Sequence, residues 1–208
     1  MRYWIDPEKE DVLSLAVDAS SRLLEAEGLN VADLDMILCS TGTPLGATTP
    51  SLACRLLKAM SPEKGEVLVQ AHDINAACTG WLYALQAAYD TLSYDADRKI
   101  LVVTAETLSP MIDRTDPDTA FIFGDAATAA LLTGEPRSGD MQAAIRRPVL
   151  SAMGVDEHIL RVPFPKSGEF VEMQGGQVFR VAVRKMVDML SRACKAEGVT
   201  VDELDMIV

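Results

Sequence analysis

The chain has 208 residues, of which 49% are hydrophobic, so it can bury a sizeable core and is expected to be globular. Its formal net charge of −12 argues against a nucleic-acid-binding surface. No apolar run approaches the roughly 18 residues of a membrane-spanning helix. The start of the chain lacks the layout of a signal peptide, so we expect a cytoplasmic protein without membrane contact.

Hydrophobic periodicity predicts helices alternating with apolar strands over the first 133 residues. In chain order the predicted elements are helix 11–27, strand 34–40, a helix opening at 49–51, strand 67–71, a helix after residue 80, strand 99–104 and strand 126–133. The run 99–104 is apolar throughout, as expected for a strand covered on both faces. This alternation favours a layered α/β domain.

The composition changes after residue 133, where Pro, Gly and charged residues become more frequent. We interpret 134–176 as an irregular connector and candidate lid with some hairpin. An amphipathic helix is predicted for 177–196, ended by Gly198. The predicted organisation is therefore 1–133, 134–176 and 177–208.

One cysteine lies where a strand is predicted to turn into a helix. Cys78 follows the apolar run 67–71 and immediately precedes a helical pattern that begins near Trp81. A thiol at a helix start lies beside unpaired amides and the positive end of the helix dipole, which favour the nucleophilic thiolate. The alternative is a small buried core residue, a common environment for a free cysteine.

The other cysteines indicate neither a metal site nor a disulfide framework. Cys39, Cys54, Cys78 and Cys194 form no C-x-x-C pair and have no histidine at zinc-binding spacing. We expect reduced thiols, no metal and no cofactor.

An internal repeat suggests a duplicated half-domain. Residues 21–38 align without gaps on 191–208, and ten of the eighteen positions are identical. Chance similarity of two helix–Gly–strand units would seldom repeat Leu-Asp-Met-Ile in register. We expect 204–208 to be a buried strand equivalent to 34–38. Because the second copy is not continued and no obvious strand precedes the first, we also expect the sequence to be truncated at both ends.

The segment 73–81, Asp-Ile-Asn-Ala-Ala-Cys-Thr-Gly-Trp, resembles the active-site segment of the β-ketoacyl-ACP synthase III (KAS III) family of thiolase-fold condensing enzymes. Residues 113–125 resemble the family's run ending in Phe-Gly-Asp, and 173–179 resemble its Met-x-Gly-x-x-Val-Phe. The resemblance implies a thiolase-like αβαβα fold, of which this sequence would contain the first of two duplicated halves and the start of the second. It also implies a homodimer formed through the edge strand of the first half.

The same resemblance assigns roles to individual residues. Cys78 would be acylated by a thioester, and Thr49 would lie where the family extends a side chain into the neighbouring subunit's acyl pocket. The acyl and pantetheine channel would be lined by Phe123, Met173, Gly175 and Phe179. Packing in the core is the alternative for these Phe and Met residues. Pro117-Asp118 replaces an Arg-Gly of the family whose Arg helps to hold CoA, which puts priming by CoA in doubt.

Condensation also needs donors for the enolate oxygen, which the family supplies from a His and an Asn beyond the segment matching 204–208. Of the two histidines here, His72 is expected to be a packed or hydrogen-bonded core residue, with a His72–Cys78 pair as the alternative. His158 is expected to be solvated.

The resemblance implies an acyltransferase that condenses an acyl-Cys thioester with a malonyl thioester, in fatty acid or related polyketide or lipid synthesis. Its partners would be acyl-CoA or acyl-ACP, malonyl-ACP and the acyl carrier protein. Basic patches for such acidic partners would be Arg146-Arg147 or Arg180, Arg184 and Lys185, unless these are merely solvated. The alternatives are Cys-dependent transfer to an alcohol or amine, or a non-catalytic remnant pairing with a full-length partner.

Overall fold

The computed structural model of the chain describes residues 2–44, 49–62, 66–135 and 143–207. Within them the helices and strands follow the predicted alternation. They are α1 (Val12–Ala26), β1 (Met36–Ser40), α2 (Leu52–Met60), β2 (Gln70–Ile74), α3 (Gly80–Tyr94), β3 (Lys99–Thr107), β4 (Asp125–Thr133), β5 (Leu160–Arg161), β6 (Glu172–Met173) and α4 (Gly175–Glu197).

The four longer strands form one mixed sheet in the order β2-β1-β3-β4. β1 runs parallel to both of its neighbours, with Met36 opposite Gln70 and Ile100. β4 pairs with β3 in the antiparallel direction, so that Asp125 lies opposite Thr107. The carboxyl ends of β1, β2 and β3 therefore meet at one edge of the sheet, which we call the carboxyl edge.

Helices cover the sheet on both faces. Val12, Ala16 and Leu24 of α1 pack with Leu52 and Leu56 of α2 on one face, together with Leu101 and Val103. Ala84, Leu85 and Ala88 of α3 pack on the other face, against Leu38, Ile100 and Val102. Residues 100–103 of β3 are fully buried, as their uninterrupted apolar run predicts.

The strand predicted at 67–71 begins three residues later and is not buried. β2 occupies Gln70–Ile74, and its residues are exposed or half-buried; Leu68, before it, is 84% exposed. The physical reason is that β2 is an edge strand of the sheet with a single neighbour, β1. An apolar run alone does not distinguish an edge strand from a central one.

Two glycines end helices as predicted. Gly28 follows α1 with φ +65°, and Gly198 follows α4 with φ +71°. Both values lie in the left-handed region that glycine adopts without a Cβ penalty.

The strand predicted at the second copy of the repeat is absent from the described part of the chain. Residues 204–207 form no strand, and Met206 and Ile207 are 76% and 61% exposed; Val208 lies outside the described residues. The matching strand, β1, is stabilised by pairing with β2 and β3, whereas 204–207 has no strand beside it among the described residues. Local sequence similarity therefore does not reproduce the strand without pairing partners.

The connector contains the expected hairpin, formed by β5 and β6 with Leu160 opposite Met173. It is tied to the helices by ion pairs. Arg147 contacts Asp90 of α3 through two hydrogen bonds of 2.8 and 3.1 Å, and Arg146 lies 3.5 Å from Glu197 of α4. The helices described here include none long and apolar enough to cross a membrane.

Candidate active site

Cys78 lies on a short turn at the carboxyl edge of the sheet. β2 ends at Ile74, a 3-10 turn follows at Ala77–Thr79, and α3 begins at Gly80. The Cys78 side chain is exposed, and the thiol is free. The structure thus has the strand-to-helix turn that the sequence predicts and places the sulfur at the surface of this chain, not in its core.

The residue before the cysteine has an unusual backbone conformation. Ala77 has φ +45°, which costs about 1–2 kcal/mol for a residue with a Cβ. The turn is held by Thr79, whose amide and hydroxyl both donate to the carbonyl oxygen of Ala76, at 3.1 and 2.9 Å. Asn75 Oδ1 accepts the amide of Ala77 at 3.5 Å. Local strain immediately before a candidate nucleophile is a frequent feature of active sites.

Gly80 allows α3 to approach the sheet closely. A Cβ built on Gly80 would lie 2.0 Å from Ser40 Oγ and 3.2 Å from Ser40 Cβ. Both residues are buried, so neither can move into solvent to relieve such a contact. The glycine therefore fixes the first turn of α3, and with it the position of Cys78, directly against the end of β1.

The start of α3 offers a favourable environment for an anion. Thr79, which precedes the helix, makes no side-chain hydrogen bond to the first turn, and that turn contains no acidic residue. Unpaired amides at a helix start carry partial positive charge. A developing oxyanion beside this helix start would be stabilised by this charge.

Two carboxylates at the carboxyl edge organise the loops around Cys78. Asp73 accepts the first two amides of α2, from Leu52 at 2.7 Å and Ala53 at 2.8 Å. Glu106, near the end of β3, accepts the amide of Gly42 at 2.7 Å and the hydroxyl of Thr43 at 2.6 Å. Burial raises the pKa of Glu106, although the hydrogen bonds from Thr43 and Gly42 oppose that shift.

Sequence reasoning did not identify either carboxylate. The available signal was a charged residue within or directly after an apolar strand run, at the end where parallel strands carry functional groups.

The predicted channel residues fall into separate environments. Phe123 is half-buried in a small cluster with Met111, Ile112 and Val171, which Leu160 also contacts. Met173 lies opposite Leu160 in the hairpin, and a Cβ on Gly175 would be 3.6 Å from Met173 Cε.

The remaining two predicted residues are exposed. Phe179 on α4 is 70% exposed, and Thr49 is exposed just before Ser51, the N-cap of α2. The structure thus groups Phe123, Met173 and Gly175 around the hairpin and leaves Thr49 and Phe179 at the surface.

The prediction that His72 is a packed core residue is wrong. His72 is exposed, because it lies on the edge strand β2. His158 is exposed as predicted, on a 3-10 turn of the connector. Among the hydrogen bonds of the described residues, none joins either histidine to Cys78.

Comparisons with known proteins agree with these observations. A family model for 3-oxoacyl-[acyl-carrier-protein (ACP)] synthase III matches residues 72–147. The β-ketoacyl-[acyl-carrier-protein] synthase III of Campylobacter curvus is 30% identical over 215 aligned residues, which cover 97% of this chain and 61% of that relative.

Solved structures show the same fold. The crystal structure of 3-oxoacyl-[acyl-carrier-protein] synthase III from Aquifex aeolicus gives a TM-score of 0.76 at 30% identity, covering 94% of this chain and 60% of that one. The priming β-ketosynthase of the R1128 polyketide pathway gives 0.72 at 29% identity, covering 98% and 60%. This chain therefore spans about three fifths of the length of these relatives.

The sheet, the cysteine turn at its carboxyl edge and these superpositions define a thiolase-like α/β protein. The chain is similar to 3-oxoacyl-ACP synthase III (KAS III) proteins, as the motifs around Cys78, Asp125 and Met173 predicted.

Proposed function

We propose that the chain carries the acyl-accepting nucleophile of a 3-oxoacyl-ACP synthase III-type acyltransferase, and that Cys78 is this nucleophile. The observation that carries the proposal is the exposed thiol on a strained turn at the uncapped start of α3. It lies within the region matched by the family model.

The first half-reaction follows from this geometry. The Cys78 thiolate attacks the carbonyl carbon of an acyl thioester, and the thiolate of CoA or of a carrier protein leaves, so that an acyl-Cys thioester remains. The positive end of α3 would stabilise the oxyanion that forms on the acyl group during this attack.

In the second half-reaction, a malonyl thioester loses CO2, and its carbanion attacks the acyl-Cys carbonyl. The 3-oxoacyl product forms as the Cys78 thiolate is released. The enolate oxygen needs hydrogen-bond donors, and the family resemblance assigns them to a His and an Asn that follow the segment matching 204–208. His72 and His158 are both exposed, and the proposal gives neither of them this role.

The proposed partners follow the same chemistry. They are acyl-CoA or acyl-ACP, malonyl-ACP and the carrier protein, encountered in the cytoplasm. Arg146 and Arg147 are engaged by Glu197 and Asp90, which makes Arg180, Arg184 and Lys185 on α4 the better candidates for an acidic partner. The last three are exposed.

A homodimer is part of the proposal. β2 is an edge strand of the sheet, and exposed strand edges pair readily with a second chain. Pairing of β2 with its symmetry mate would continue the sheet across two protomers and bring the exposed Thr49 segment towards the partner.

Mass spectrometry after incubation with acyl-CoA or acyl-ACP tests the first half-reaction. We expect one acyl adduct, on Cys78, that is lost in Cys78→Ser. Cys54→Ser is the matched control, because Cys54 is also exposed but lies inside α2. Cys39 should stay unmodified, since burial raises the pKa of its thiol well above the ordinary value.

Absence of an adduct on Cys78 with either donor would refute both enzymatic readings and favour a non-catalytic role. If the adduct forms, release of CO2 from malonyl-ACP distinguishes condensation from transfer to an alcohol or amine. That assay compares this chain alone with this chain joined to a segment that carries the family's His and Asn.

A further inference from the structure

Glu106 lies on the same edge of the sheet as Cys78 but on a different strand. It is half-buried, and no cation forms an ion pair with it among the described residues. Both carboxylate oxygens are used, Oε1 by the amide of Gly42 and Oε2 by the hydroxyl of Thr43. The Thr43 hydroxyl in turn accepts the amide of Thr107 at 2.9 Å. The carboxylate therefore fixes the loop that follows β1.

That loop contacts the segment leading to the cysteine. The amide of Thr41 donates to the carbonyl of Ile74 at 3.3 Å, and the Thr41 hydroxyl accepts the amide of Thr43 at 3.1 Å. A Cβ on Gly42 would lie 3.6 Å from Glu106 Oε1 and 3.9 Å from Asn75 Oδ1. The Glu106 carboxylate and the Asn75 amide thus flank the same glycine.

Asn75 completes the connection, because its Oδ1 accepts the amide of the strained Ala77, which directly precedes Cys78. The hydrogen bonds and contacts run from β3 through the loop after β1 to the cysteine turn. A strained turn keeps its conformation only while its surroundings hold it.

We propose that Glu106 is a positioning residue that holds the Cys78 turn through the 41–43 loop. The proposal rests on the proposed function, in which the Cys78 thiolate is the nucleophile. Glu106 itself touches neither the sulfur nor the reacting atoms in this account; it keeps the sulfur at the uncapped start of α3.

The chain offers a matched control for a purely structural effect. Asp35 bridges the same two strands at the opposite edge of the sheet, where its Oδ2 accepts the amide of Lys99 at 2.8 Å. Asp35→Ala removes a carboxylate hydrogen bond between β1 and β3 without touching the 41–43 loop. Any effect of simply weakening that strand pair should appear in this variant as well.

The test is the rate of iodoacetamide alkylation at Cys78, resolved by mass spectrometry and divided by the rate at Cys54 in the same molecule. Cys54 is exposed on α2 and serves as an internal reference. We expect Glu106→Ala to lower this ratio about threefold at neutral pH, the effect of losing a typical helix-terminus interaction with an anion. Glu106→Gln, which retains the shape and one acceptor, should restore the ratio to near the wild-type value.

The proposal is overturned if Glu106→Ala leaves the ratio unchanged, or if Asp35→Ala lowers it equally. Should Glu106→Ala fail to fold, Thr43→Val removes the hydroxyl that binds Oε2, together with its bond from the Thr107 amide, and keeps the carboxylate. It should lower the ratio in the same direction, and an unchanged ratio would overturn the proposal.

Failure of the proposed function has a separate signature. A wild-type chain that shows the Glu106 dependence but forms no acyl adduct refutes acyl transfer and leaves the positioning role intact. A chain that forms the adduct but shows no Glu106 dependence refutes the positioning role and leaves acyl transfer intact.

Discussion

The first prediction concerns Gly80→Ala, because Gly80 packs against Ser40 without room for a side chain. The added methyl group would lie 2.0 Å from Ser40 Oγ, well inside van der Waals contact. Rotation of the Ser40 side chain can remove that contact, but the 3.2 Å contact with Ser40 Cβ remains. The start of α3 must therefore shift away from β1.

The magnitude follows from two opposing effects. Overpacking of a well-packed site costs about 1–3 kcal/mol. Replacing glycine by alanine in a helix favours folding by up to about 1 kcal/mol. We expect Gly80→Ala to lower the free energy of unfolding by about 1–2 kcal/mol, and to slow alkylation of Cys78 because the turn moves with the helix.

Urea denaturation followed by far-UV circular dichroism measures the effect. Gly154→Ala is the control, because a Cβ there meets nothing within 4 Å. In a double-mutant cycle, Ser40→Gly removes both the hydroxyl and the Cβ that the added methyl group would contact. It should reduce the cost of Gly80→Ala, with a coupling of about 1 kcal/mol. The packing argument would be refuted if the changes in the free energy of unfolding of the two single variants simply added in the double variant. It would also be refuted if Gly80→Ala were as stable as Gly154→Ala.

The two carboxylates give the remaining predictions. Asp73→Ala removes the acceptor of the first two amides of α2 and should lower the free energy of unfolding by about 1–2 kcal/mol. Asp73→Asn, which keeps one acceptor, should cost less in the same urea titration, and equal losses would contradict the capping role. Because burial raises the pKa of Glu106, its contribution to stability is full below the ordinary carboxyl pKa and is lost as the pH rises through the folded value. The free energy of unfolding of the wild type, relative to Glu106→Gln, should therefore fall with rising pH over that range; a difference independent of pH would contradict this.

Local signals in the sequence determined much of this protein. The 3.6-residue periodicity defined the helices, Gly28 and Gly198 marked helix ends, and the apolar run 99–104 indicated the central strand β3. The Cys78 turn was predictable because strand, small residues and helix follow one another directly in the chain. The family motifs were equally local and were confirmed by the comparisons.

Tertiary structure decided what depends on partners distant in sequence. Strand order left β2 at the sheet edge and His72 exposed, while the repeated segment at 204–207 forms no strand without neighbours to pair with. Glu106 meets Gly42 across 64 residues, and no periodicity encodes that distance. Hydrogen-bond and packing partners of this kind come together only when parallel strand ends meet at one edge, which is why the surroundings of Cys78 were not predictable from its own segment.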